Sequence, residues 1–112
     1  MRFLVGVSGI LACSFALAAE YPIDIKTDLK NSKFYIVEKG GTPSTPTLVV
    51  KRVSGTVARY STREFDCKAR TVKTLGRGAS LEELAKSEPE KESYPIAEGS
   101  IDDQLARHAC AK

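Results

Sequence analysis

Two cysteines constrain this chain more than any other feature. Cys67 lies inside V-A-R-Y-S-T-R-E-F-D-C-K-A-R-T-V-K-T-L, Val57 to Leu75, which reads as two β-strands folded back on each other with the cysteine at or beside the bend. Cys110 closes the last helix-forming run. If the third cysteine, Cys13, leaves with an export leader, one intramolecular pairing remains. That pairing closes about 43 residues into a loop, and the loop-entropy account assigns it roughly 4 kcal/mol. Domains are stable by only about 5–15 kcal/mol, so such a bond would decide whether this one folds. A metal shared by Cys67, Cys110 and His108 is the competing use. Zinc takes four ligands and Cys67 has no C-x-x-C neighbour, which favours the disulfide.

The leader is legible in residues 1–18. Arg2 precedes an apolar run from Phe3 to Leu17, which closes on Ala16-Leu17-Ala18. This is an A-x-A cleavage pattern with the cut before Ala19. The run is short for a membrane span of about 20 residues. Ile10-Leu11-Ala12-Cys13 is an imperfect lipoprotein signal, because Leu11 is bulky and apolar residues follow Cys13. The expectation is a periplasmic or secreted protein. An outer-membrane lipoprotein acylated at Cys13 is the alternative, and only then is a membrane a partner. Residues 19–112 form one domain, small enough to gain from a covalent staple.

Charge is unevenly placed. Lys51 to Arg77 holds eight basic residues against Glu64 and Asp66, whereas Glu82 to Asp103 holds eight acidic residues against Lys86 and Lys91. The two regions either face and screen one another or leave a basic surface for an anionic partner. Arg59, Ser61, Arg63, Phe65 and Cys67 share one side of their strand by alternation. Phe65 and Cys67 are expected inward, with Arg59 and Arg63 toward an exposed end. Lys51, Arg59, Arg63, Arg70 and Lys73 are the candidate basic binding residues.

The remaining elements follow from local pattern. Tyr21–Ile25 is at most a short edge strand because Pro22 lacks a ladder donor. Lys33–Glu38 and Thr47–Val53 are rich in strand formers and are bounded by Gly40-Gly41, Thr42-Pro43-Ser44-Thr45-Pro46 and Ser54-Gly55. Ser80-Leu81-Glu82-Glu83 is a capping box, and Ser100-Ile101-Asp102-Asp103 repeats it. Ile101, Leu105 and Ala109 make the apolar stripe of the last helix. Glu88 to Ser93 reads as a charged, mobile connection. The order predicts an α+β domain, an antiparallel sheet of four to five strands with two short C-terminal helices covering one face.

No catalytic constellation emerges. His108 sits in a last helical turn, which favours its charged form, and no nucleophile accompanies it. Glu82-Glu83 and Asp102-Asp103 stand where helix starts attract carboxylates. Gly76-x-Gly78 lacks the third glycine of a phosphate loop. Tyr35, Tyr60, Phe34 and Phe65 interleave with arginines, but export makes nucleic acid an unsuitable partner. The reading is non-enzymatic, with no cofactor and no metal.

Three landmarks, taken in order, carry a family likeness: Y-S-T-R-E-F-D-C-K-A-R-T-V-K-T-L-G from Tyr60 to Gly76, G-S-I from Gly99 to Ile101, and H-A-C from His108 to Cys110. They resemble a group of small exported proteobacterial proteins similar to the surface-adhesin protein E family. The resemblance covers about Lys33 to Cys110. It implies an antiparallel sheet packed on a C-terminal helix, with Asp66-Cys67 at the bend and Cys110 as the bonded partner. It also implies an adhesin-like contact with an envelope or host protein. The alternative function is an envelope structural or assembly component, lipid-anchored through Cys13.

Intact mass of exported protein, taken with and without reductant and alkylation, tests these readings together. The expected result is a chain starting at Ala19, two mass units below its reduced form, and alkylated only after reduction. A diacylated Cys13 start supports the anchored alternative.

Overall fold

The computed structural model describes residues 20–29 and 31–111, so the expected leader over residues 1–18, with Cys13, lies outside the described residues. The central hairpin forms as its alternation and turn residues dictate. β3 (Pro46–Ser54) and β4 (Val57–Asp66) pair from Ser54–Val57 to Thr47–Glu64. Gly55, at φ 62°, supplies the positive dihedral needed by a two-residue hairpin turn. β5 (Thr71–Gly78) returns along β4 through a tight bend. There the Asp66 carboxylate accepts the Lys68 and Ala69 N–H groups at 3.1 and 2.9 Å, an Asx turn.

On the other side of the hairpin lie β2 (Ser32–Gly41) and β1 (Tyr21–Ile23). With β6 (Tyr94–Pro95), the strands make one antiparallel meander in chain order, β1 to β6. The fold is α+β with six strands rather than four to five. The extra strand is β6, two residues that pair with Thr71 and Val72. A pair of residues carries no periodicity, so nothing in the local pattern announces it. The charged stretch before it is also held, since the Glu90 N–H donates to the Thr74 carbonyl at 2.9 Å. β2 likewise continues through Gly40-Gly41 because a bulge beside Val37 re-registers the strand against β3.

One face of the sheet presents Phe34, Ile36, Leu48, Val50, Phe65 and Val72, and all are buried. They pack on Leu105 and Ala106 of a helix, Ile101–Ala109. The preceding helix, α1 (Leu81–Lys86), is short and holds no buried residue; the longer Ile101–Ala109 helix is α2. Both start as their capping boxes require, with Ser80 accepting from Glu83 N and Ser100 from Asp103 N.

The two helices do not share a face. A Cβ at Gly76 or Gly78 would point away from α2, because these residues pair with Thr62 and Tyr60. At Gly78 it would fall 2.6 Å from Leu84 N and 2.8 Å from Glu83 Cβ. α1 therefore lies against the bare backbone of β5 on the opposite side. Only glycine permits that approach.

α2 is fastened by its ends. Cys67 and Cys110 are bonded, with Cα atoms 5.9 Å apart and a sequence separation of 43. The Gln104 amide pairs with the Lys26 backbone in both directions at 2.7 Å, so the strand-linking segment lies alongside the helix start. Among the described residues no helix is long and apolar enough to cross a membrane.

Replacing both Cys67 and Cys110 by serine removes the loop constraint. The expected loss is about 4 kcal/mol in urea unfolding, with the native circular dichroism retained at low temperature. Phe65→Ala, which empties the centre of the core, costs about 3–5 kcal/mol with the disulfide intact.

Candidate functional site: an arginine-lined cleft

The turn register of the central hairpin decides which basic residues meet. Ser54 pairs with Val57, so counting back from the turn sets Arg52 opposite Arg59. Both project to the α2 face, as Phe34, Val50 and Phe65 do on the same alternation. Arg63 follows on β4 and Arg77 on β5, the latter opposite Ser61. These four arginines surround a cleft of about 540 Å³ with Phe34 and Val50 in its floor. Ser100, Ile101 and Asp102, at the start of α2, form its far wall.

Two of the guanidiniums are engaged by the acidic C-terminal third. Arg63 donates to Asp102 across the cleft and, through Nε, to Ser61 Oγ at 3.2 Å. Arg77 meets Glu90 at 3.0 Å on the rim. Arg52 and Arg59 have no ion pair among the described residues. Like charges placed directly opposite across two strands are destabilising, with side-chain origins about 4.5–5.5 Å apart. The cleft thus holds a local excess of positive charge that the fold does not neutralise.

The five basic residues named from the sequence do not converge. Arg59 and Arg63 line the cleft. Lys51 and Lys73 pair with Tyr60 and Glu64 and project from the other side of the sheet. The physical reason is the strand period of two, which sends odd and even positions of a paired strand to opposite faces. Lys51 lies over the Tyr35 ring, 4.9 Å from its centroid, and donates to Glu20 at 2.5 Å. The Glu20 hydrogen bond raises the Lys51 pKa above its ordinary 10.5, with a smaller opposing effect of burial.

Arg70 is committed elsewhere. It sits in the β4–β5 bend with φ 60° and donates to Asp103 Oδ1 at 2.5 Å. Arg52 and Arg77, both missed from sequence, complete the cleft in place of the lysines. The turn at Ser54-Gly55 held the signal for Arg52, because a two-residue loop sets the register of everything beyond it.

Asp103 is the other polar centre. Its side chain is 2% exposed. Oδ2 accepts from Gly99 N at 2.8 Å and from Arg107 at 3.2 Å, while Oδ1 takes Arg70. The Gly99 N–H, then the Arg70 hydrogen bond, hold its pKa below the ordinary 3.8, against the effect of burial. His108 sits in the last turn of α2, about 12 Å along the axis from the cleft wall at Ser100. The sulfurs of Cys67 and Cys110 are joined to each other, which leaves no thiolate for the metal alternative.

Comparison with known proteins adds no likeness: no family model, no curated protein and no solved structure matches the chain.

Asp103 gives stability a defined pH dependence. Its folded pKa is depressed, so its contribution is fully present above about pH 3.8 and is lost as pH falls through the lower folded value. Thermal stability of the wild type should therefore weaken as pH falls below about 3.8. Asp103→Asn should lower Tm at neutral pH by about 10 °C, the scale of a lost buried partner in a small domain. Its Tm should also change less over that acid range, and an unchanged acid slope would assign the effect to other carboxylates.

Proposed function

We propose that the chain is an exported, non-enzymatic protein-binding module of the adhesin-like kind, and that the arginine-lined cleft is its contact surface. The single observation that carries the reading is the pairing of Arg52 with Arg59 on one face, without a carboxylate for either among the described residues. A fold gains nothing from opposing two cations. A partner that supplies the missing negative charge does.

Other features support the same reading. The Cys67–Cys110 bond is compatible with an oxidising compartment, as the leader over residues 1–18 implies. The cleft lies toward the turn end of the central hairpin, away from its disulfide-tied end, so a partner reaches it without disturbing the sheet. Arginine at such a surface gives directional, desolvation-tolerant contacts that lysine does not. The resemblance to the surface-adhesin protein E group supplies the class of partner, an envelope or host protein.

The test is capture by immobilised protein from envelope and host extracellular extracts. Wild type should retain proteins that elute as salt rises, and Arg52→Glu with Arg59→Glu should lose them while keeping its native circular dichroism. Retention of the same proteins at the same salt by the charge-reversed variant would reject the cleft as the contact surface.

A further inference from the structure

The chain seats a piece of its own acidic sequence at the rim of this cleft. Ser87-Glu88-Pro89-Glu90-Lys91-Glu92-Ser93 runs beside β5. Its Glu90 backbone N–H bonds Thr74 and its carboxylate bonds Arg77, whose side chain is 67% exposed. At the opposite wall Asp102 occupies Arg63. Carboxylates of the chain itself thus already hold two of the four arginines, Arg63 and Arg77. The pair nearest the hairpin turn, Arg52 and Arg59, has none among the described residues.

We infer that the cleft binds an acidic peptide segment, with a glutamate or aspartate side chain clamped between Arg52 and Arg59 and a second carboxylate competing with Glu90 for Arg77. The inference rests on the binding-module reading and names the chemistry of its partner. Two guanidiniums directly opposite each other can each offer a fork of two N–H groups to one carboxylate. The Phe34 and Val50 floor suits the methylenes of the same side chain, since long charged residues lay apolar stems on apolar surface. Arg63, braced by Ser61 and Asp102, keeps that wall of the cleft in place as the peptide enters.

A fluorescein-labelled hexaglutamate peptide, followed by anisotropy at low ionic strength, is the probe, with hexaglutamine as the uncharged control. Wild type should bind hexaglutamate and not hexaglutamine, with affinity falling as salt rises. Arg52→Gln with Arg59→Gln should weaken binding at least about tenfold, the scale of a lost charged clamp. This variant also removes the like-charge pair, so its Tm should equal or exceed that of wild type.

Lys51→Gln with Lys73→Gln removes the same formal charge from the other face and should leave affinity within about twofold. Glu90→Gln frees Arg77 and should tighten binding. Equal losses from the lysine and arginine variants would overturn the inference, because general attraction would then suffice. So would a sulfated disaccharide or inorganic phosphate displacing the peptide at lower concentration than free glutamate oligomer. Protein capture that depends on Arg52 and Arg59, without hexaglutamate binding, would overturn the acidic-peptide assignment and leave the binding-module reading in place. Capture indifferent to both arginines would reject the cleft as the contact surface, and the inference with it.

Discussion

A carboxylate with almost no exposed surface holds this molecule's parts in register. Asp103 is buried beside the core, and ionised it is tolerable there only while its oxygens are matched by donors. It finds them in three places: the backbone before α2, the side chain one turn along α2, and Arg70 in the bend between β4 and β5. The last contact crosses from helix to sheet. The Cys67–Cys110 bond makes a second crossing from the same bend to the other end of the helix. A single turn is therefore clamped to both ends of α2, once by charge and once covalently. The apolar seal of Leu105 and Ala106 on Phe65 follows from that placement.

The adjacent residue shows how finely the helix divides its work. Asp102 and Asp103 are neighbours in sequence, but successive residues on a helix point about 100° apart. Asp103 turns to the disulfide side and is sealed. Asp102 turns to the cleft and stays one-third exposed, where it holds Arg63. The acidic third of the chain therefore screens the basic sheet at chosen points: Arg70, Arg63 and Arg77 receive partners. Screening stops short of Arg52 and Arg59. Within the cleft the uncompensated positive charge is accordingly confined to that pair, near the hairpin turn.

Much of the architecture was legible because it depends on short-range rules. The strand–turn–strand around Asp66-Cys67, the serine caps at Ser80 and Ser100, and the Ile101, Leu105, Ala109 stripe all follow from neighbouring residues. Counting cysteines was enough to propose the bond between Cys67 and Cys110. What escaped depends on relations between distant segments. Lys51 and Arg59 look like one basic stripe in a linear count, and register separates them. Tyr94-Pro95 becomes a strand only because the edge of β5 is vacant beside it. The side taken by α1 is decided by two glycines whose missing side chains make room for Leu84. The burial of Asp103 was also hidden, since a carboxylate at a helix start normally faces water.

The long span bridged by the disulfide has a consequence for biogenesis. Every strand of the sheet pairs with its neighbour in sequence, so local hairpins set strand order without covalent help. The bond closes a separation of 43 residues, and what it adds is the seating of the last-encoded helix on a meander whose topology does not depend on it.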